Sequence, residues 1–237
     1  MNGRLVRLWR YPVKSMAAEP MAAVDVTEAG LTGDRRWALV RPDAADRSFP
    51  WLTIRERNEM SRYVPSYDDP SDPDRSAVTV RTAAGETLAI TDPRLAEDLM
   101  PGAELRHDPA GMPDDSPISI LSLQSVAALE ERSGLALNPL RFRPNLLLDV
   151  PGGEFPEEEW IGREIRIGEV VVEVTRRDTR CVIVNVDPET AERDPSLLRT
   201  LAAVRDTCAG VYARVVTPGR IAVGDAVTTP PDHRVGS

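Results

Sequence analysis

Two cysteines and two histidines are all that 237 residues supply in sulfur and imidazole ligands. Cys181 and Cys208 are too few for a disulfide scaffold, and too few to hold a two-iron cluster on four thiolates. His107 and His233 are a poor basis for a histidine-rich metal site or a Ser–His–Asp triad. No run of 18 apolar residues exists, so no membrane span is expected. Met1–Trp9 reads as a polar–apolar strand and lacks the apolar region of a signal peptide, which makes the cytoplasm the expected location. Positive charge is also in deficit: 29 Lys and Arg face 38 Asp and Glu, for a net charge of -9 and a pI near 4.9. Such a chain repels nucleic acid, so neither nucleic acid nor membrane is an expected partner. Any anion it binds must be held by a local cluster of cations.

What is there is enough for a core, with 41% hydrophobic residues, and the length allows two small domains or one large β domain. Proline is abundant, at 21 residues, and helical periodicity is scarce. Strand-like runs dominate: Arg4–Trp9, Arg36–Val40, Val78–Arg81, Thr87–Ile90, Asn145–Val150, Val170–Thr175, Val211–Val216 and Ile221–Val227. Hairpins are expected around Ala-Ala-Gly-Glu (83–86) and around Gly168-Glu169. Two helices stand out. Ser122 caps one running to about Arg132, with Gly134 as its stop. Asp194-Pro195 starts the other, with Leu197, Leu198 and Leu201 on its buried face. Asp68–Arg75 is an acidic, proline-rich loop, and the punctuated stretch Pro109–Pro117 marks a domain boundary. The pattern predicts a mainly β fold, built of barrels with a few short helices.

Four cationic clusters interrupt the acidic background: Tyr11-Pro-Val-Lys-Ser15, Gly30-Leu-Thr-Gly-Asp-Arg-Arg-Trp37, Arg141-Phe-Arg-Pro-Asn145 and Arg176-Arg-Asp-Thr-Arg-Cys181. Each sets Lys or Arg at a turn or strand end. If those ends converge they build an anion pocket, since arginine forks and a lysine suit phosphate oxygens. Taken singly, each cluster reads more readily as solvated or acid-paired surface cations. Cys181 directly follows Arg180, and cations beside a cysteine favour the thiolate, which is both nucleophile and soft-metal ligand. A single cysteine is also a common small core residue. The residues alone therefore define a cysteine beside an anion pocket.

At these clusters the chain resembles the MOSC family, in its branch with an N-terminal β-barrel domain that includes the amidoxime-reducing components and bacterial reductases of N-hydroxylated compounds. The resemblance runs in order from about Leu5 to Val227. It takes in Tyr-Pro-Val-Lys-Ser (11–15), Gly-Leu…Asp-Arg…Trp (30–37), Ser-Pro-Ile-Ser-Ile-Leu-Ser (116–122), Phe-Arg-Pro-Asn (142–145), Trp160-Ile-Gly, Arg-Cys with Val-Asp-Pro-Glu-Thr (180–190), and Tyr212 with Pro-Gly-Arg-Ile-Ala-Val-Gly-Asp up to 225. It implies an N-terminal MOSC-associated β-barrel domain over 1–108, a MOSC domain over 109–230 and a C-terminal tail over 231–237. It also implies molybdenum cofactor (molybdenum–molybdopterin) as the ligand. Lys14, Ser15 and Arg35 match positions contacting the cofactor's phosphate and pterin groups, and Arg143 and Asn145 match a second set. Thr179 and Arg180 precede the metal-ligand position, which Cys181 occupies as the catalytic thiolate. Tyr212 matches a tyrosine lining the cofactor. Ser122 matches a serine near the pocket, and its helix-cap role is the alternative. Trp37 and Trp160 read as core. The family's association with pyridoxal phosphate binding comes with the resemblance as well.

The chain carries neither the ferredoxin-type cysteines nor the aminotransferase-like domain found in some relatives, so an external donor, a ferredoxin- or flavin-type reductase, is the expected source of electrons. Cys208 matches no ligand position. The leading expectation is a molybdenum-dependent reductase acting on a small N-hydroxylated or N-oxygenated molecule. The alternatives are a non-catalytic carrier of the cofactor, or of sulfur as a persulfide on Cys181, and a plain β domain with basic turns.

Overall fold

The computed structural model describes residues 2–44 and 47–229, so the expected tail at 231–237 lies outside the described residues. The first half contributes β1 (Asn2–Arg10), β2 (Glu19–Met21), β3 (Ala23–Thr27), β4 (Gly30–Leu31), β5 (Trp37–Val40), β6 (Val64–Tyr67), β7 (Val78–Arg81), β8 (Thr87–Ala89), α1 (Pro93–Leu99) and β9 (Glu104–His107). The second half adds β10 (Ile118–Ser122), α2 (Leu123–Ser133), β11 (Leu146–Asp149), β12 (Glu164–Ile167), β13 (Val170–Thr179), α3 (Ser196–Arg205), β14 (Cys208–Thr217), β15 (Gly219–Ala222) and β16 (Ala226–Thr228). The fold is mainly β with three α-helices among the described residues. No helix is long and apolar enough to cross a membrane.

A seven-stranded barrel forms in the order β11-β10-β14-β13-β12-β16-β1 and closes through pairing of β1 with β11; β2 extends it at the edge of β1. The chain's first strand is thus built into the barrel of its second half. Period-2 alternation fills the interior: Leu5, Leu146 with Leu148, Ile118 with Ile120, Ile165 with Ile167, Val172 with Val174, and Val211 with Ala213 all point inward. Each fully buried Val, Leu or Ile contributes roughly 1.5–3 kcal/mol. Leu147 points the other way, into a second cluster with Leu121, Val126, Leu129, Leu197 and Leu201, where α2 and α3 cover the barrel wall. That two-sided burial explains the unbroken run Leu146–Leu148. β10 and β11 run parallel, and α2 is the crossover that parallel pairing demands. A third core lies in the first half, around Leu39, Leu52, Met60, Tyr67, Val80, Leu88, Leu95 and Leu99.

Both expected hairpins form, β7–β8 and β12–β13. So do both expected helices. Ser122 Oγ accepts from Ser125 N and Gly134 ends α2 in the left-handed conformation. Asp194 accepts from Ser196 N at the start of α3. α1 is an additional helix whose seven residues are too few for an apolar stripe to stand out, although Asp92-Pro93 repeats the start signal of α3. The expected strand Ile221–Val227 divides instead: β15 pairs with β3, while β16 pairs with β1 and β12. The turn between them is closed by Asp225, whose carboxylate accepts from Ala222 N at 2.8 Å. β13 runs four residues beyond its apolar stretch, through Arg176, Arg177 and Asp178 to Thr179. Its pairing with β14 shifts register between Val174 and Arg176 and again between Arg177 and Thr179. Such bulges re-aim side chains, and here they fall where the strand reaches the site.

Candidate functional site

The four cationic clusters lie far apart in the chain and are stitched together by hydrogen bonds. The first and second are zipped by backbone: Arg35 N donates to Tyr11 O at 2.6 Å, Trp37 N to Pro12 O at 3.1 Å and Lys14 N to Trp37 O at 2.7 Å. The third is tied to the first by Trp9 N donating to Asn145 O (2.9 Å), Tyr11 Oη to Pro144 O (3.1 Å) and Arg143 Nη1 to Met16 O (2.8 Å). Arg180 joins the fourth to the third, donating to Phe142 O at 2.7 Å and to Ala209 O at 2.8 Å. Gly210 leaves room for it: a Cβ there would lie 2.5 Å from Ile120 O and 3.3 Å from Arg180 Nη2, at a φ of +76°.

These contacts enclose a cavity of about 340 Å³. Its wall carries six cationic side chains, Lys14, Arg35, Arg55, Arg141, Arg143 and Arg180, against three carboxylates, Asp114, Asp115 and Asp178. An excess of positive charge is thereby concentrated at one point of a chain that is strongly negative overall. Three lining residues, Ser15, Arg35 and Arg143, have φ of 65°, 51° and 50°, a left-handed backbone that costs roughly 1–2 kcal/mol per non-glycine residue. Strain of this kind gathers where a side chain must be aimed. A second cavity, of about 400 Å³, lies on the other side of Arg141, Arg143 and Ile183, with a mixed polar and apolar lining and no cysteine. Cys181 lines the smaller one.

Its electrostatics follow from burial. Tyr11 is fully enclosed, and desolvation pushes its hydroxyl up to about 12 despite Arg143 and Arg35, whose guanidinium carbons sit 4.3 and 4.9 Å from the ring centre. Burial, reinforced by the charge of Asp178, also raises the Tyr212 hydroxyl. Lys14, the chain's one lysine, is pulled down by desolvation and held up by its ion pair with Asp114; its Nζ also donates to Met112 O at 2.8 Å. Burial opposes ionisation of Asp114, but Lys14, Arg35 and Arg55 together outweigh it and keep that carboxyl below its usual value. Asp178 is raised by burial against the pull of Arg180 at 2.6 Å, and it accepts from Ser119 Oγ at 2.9 Å.

Of the residues singled out from the sequence, Lys14, Ser15, Arg35, Arg143, Thr179, Arg180, Cys181 and Tyr212 line the cavity. Asn145 stands directly behind it, fully buried; its Oδ1 accepts from Arg35 Nη1 (3.3 Å) and from Ser119 N (3.2 Å). Ser122 is placed elsewhere: it caps α2 and donates to the buried carboxylate of Glu157 at 2.6 Å. Arg36, Arg176 and Arg177 are taken up by Asp74, by Asp115, and by Glu158 with Asp206. Arg141 and Arg143 do not share a strand face, because Pro139–Phe142 is a 3₁₀ turn that Arg143 ends. The cation at the sulfur is not sequence-adjacent Arg180, which is spent on Asp178 and two carbonyls. It is Arg55, whose Nη2 lies 3.3 Å from Cys181 Sγ. Arg55 and Asp114 lie outside the four cationic clusters, and Asp178, inside the fourth, is an acid among cations, so none of the three stands out in the sequence. The solitary lysine was a signal for Lys14 that composition alone offered.

Comparison with known proteins identifies the family. The MOSC domain matches residues 107–228, and the MOSC N-terminal beta barrel domain matches residues 2–102. Human mitochondrial amidoxime reducing component 2 is 25% identical over 95% of this chain and 83% of its own length. The human component 1 is 24% identical over 95% and 82%. Molybdenum cofactor sulfurase from Caenorhabditis briggsae is 23% identical over 89% of this chain, but that is 33% of the sulfurase. Among solved structures, the YuaD protein from Bacillus subtilis superposes with a TM-score of 0.51 at 13% identity, covering 96% of this chain and 94% of that one, which supports the fold. With a family match over more than half its length, the chain belongs to the MOSC domain family.

Proposed function

We propose that this protein binds molybdenum cofactor in the cationic cavity and reduces small N-hydroxylated or N-oxygenated molecules. The observation that carries the reading is the convergence of Cys181 with six cationic side chains around one cavity. The donor set fits an anionic, sulfur-seeking metal cofactor. Arg143 is half-buried and Arg55 partly so, and neither has a carboxylate within ion-pair distance among the described residues. A buried cation without a counter-ion is costly, and a bound anion would complete it. The thiolate of Cys181 suits molybdenum as a soft ligand.

Lys14, Ser15, Arg35 and Arg143 would hold the phosphate and pterin, with Thr179 and Arg180 shaping the wall beside the ligand sulfur. Bound there, the cofactor would supply the two-electron exchange. Cleavage of an N–O bond takes two electrons and two protons and releases water. Tyr212, its hydroxyl kept protonated by burial and turned to Asp178, would line the cavity wall with its phenolic oxygen. The ion pair of Lys14 with Asp114 orients both groups at the cavity. Electrons would come from a separate ferredoxin- or flavin-type reductase, and a cytoplasmic setting suits such a donor. Protein from a cofactor-competent host should carry close to one molybdenum per chain with a pterin, and should reduce an N-hydroxylated amidine with reduced viologen. Trace molybdenum would refute the reading. Full occupancy without turnover would turn it into a carrier of cofactor or sulfur.

A further inference from the structure

Arg55 belongs to none of the four cationic clusters, yet several independent contacts hold it at the sulfur. It follows Thr53, which is buried, and Ile54, which is packed in the core of the first half. Thr53 Oγ1 accepts from Arg55 N at 3.2 Å and donates to Glu56 Oε2 at 2.7 Å, and Thr53 N donates to the same carboxylate oxygen at 3.0 Å. This local box fixes the loop. Arg193, 138 residues further along, clamps it from the other side: its Nη2 donates to Ile54 O at 2.9 Å and to Arg55 O at 2.8 Å. The Arg55 guanidinium carbon lies 5.1 Å from the centre of the Phe49 ring. Its Nη2 then points at Cys181 Sγ, 3.3 Å away.

We propose that Arg55 is a positioning residue for the ligand sulfur, donating a hydrogen bond to Cys181 when that sulfur binds the metal and so raising the reduction potential of the centre. The proposal rests on the reading of Cys181 as the metal ligand. A hydrogen bond to a ligating sulfur draws electron density from it, weakens its donation and stabilises the reduced metal. Arg180 makes its hydrogen bonds to Phe142 O and Ala209 O and pairs with Asp178, and none of its described bonds reaches the sulfur. The sulfur and the group that tunes it therefore come from opposite halves of the chain, and packing between the halves sets the potential. An arginine next to the cysteine in sequence would not need that packing.

The test compares wild type with Arg55→Met, Arg55→Lys and Cys181→Ser, all as cofactor-loaded full chains. The readouts are the metal's midpoint potentials, followed by electron paramagnetic resonance, and the sulfur-to-metal charge-transfer absorption. Arg55→Met should lower the midpoint and move the charge-transfer band to longer wavelength, because a sulfur without its donor gives up charge more easily. Arg55→Lys, which keeps a charged donor, should recover part of both shifts. Wild-type midpoint and band in Arg55→Met overturn the proposal. So does an Arg55→Lys protein that recovers neither, since the effect then comes from a disturbed loop. If Arg55→Met fails to load, Arg55→Leu, which also lacks a donor, replaces it and is read the same way: a wild-type midpoint and band overturn the proposal, and a lower midpoint with a band at longer wavelength supports it. A wild type without molybdenum, or a band unchanged in loaded Cys181→Ser, refutes the ligand reading itself, and the proposal falls with it.

Discussion

Arg143 is where ligand binding and protein stability should part company. Its guanidinium is half-buried, makes one hydrogen bond to Met16 O at 2.8 Å, lies 4.3 Å from the centre of the Tyr11 ring, and has no carboxylate in reach among the described residues. Burial, with Arg35 as a like-charged neighbour, pushes its pKa down. Truncation to alanine forfeits a charge-assisted hydrogen bond of about 1.5–3 kcal/mol and a cation–π contact of roughly 1 kcal/mol. It also removes an uncompensated buried charge, whose relief is of the same order. The empty protein should therefore change in stability by no more than about 1 kcal/mol, the small residue of those opposing contributions. An anionic ligand should lose one charged contact, about 1.5–3 kcal/mol, or roughly 10- to 150-fold in affinity. Arg143→Gly should bind equally poorly and melt higher than Arg143→Ala, because glycine releases the strain of a φ of 50°. Arg141 already gives Nη2 to Asp187 at 2.9 Å, so Arg141→Ala should cost stability and spare the cofactor. The assays are pterin and molybdenum per chain, alongside denaturant unfolding of cofactor-free protein. Equal cofactor losses at the two positions, or a larger one at Arg141, would refute the reasoning.

Cys181→Ser should fold, by circular dichroism, and lose reductase activity, since a hard and mostly protonated donor replaces a soft one, while Cys208→Ala should keep most of it; full activity in folded Cys181→Ser would remove this cysteine from the chemistry. Cys208 packs against Thr179 Oγ1 at 3.7 Å and lines no described cavity. Glu157 is fully buried, its pKa raised by desolvation although Ser122 and Ser125 donate to it at 2.6 and 2.5 Å. Its folded pKa stands above the unfolded value of about 4.3, so the folded state gains most from it below that pH and loses that contribution as pH rises through the raised value. Glu157→Gln should accordingly raise the melting temperature at pH 8 relative to wild type and do so less at pH 4; a lower melting temperature at pH 8 would mean the carboxylate is ionised and needed.

The sequence by itself determined the local grammar. Alternating apolar residues set the strands, Ser122 and Gly134 bounded α2, and Asp194 opened α3, because caps and pleats depend on neighbours within a few residues. With the family resemblance it also marked eight of the cavity's lining residues: seven sit in cationic turns visible in one dimension, and Tyr212 came from the resemblance alone. Tertiary structure decided the rest. It took β1 into the barrel of the second half, broke Ile221–Val227 between two sheets, and carried β13 past its apolar stretch to Thr179, all of which depend on pairing partners far along the chain. It also chose among the cations. Asp74 claims Arg36, Glu158 claims Arg177, and Asp178 claims Arg180, whereas Arg55 reaches the sulfur from 126 residues away. Charge acts through space, so which arginine meets which anion is settled only when the chain is folded.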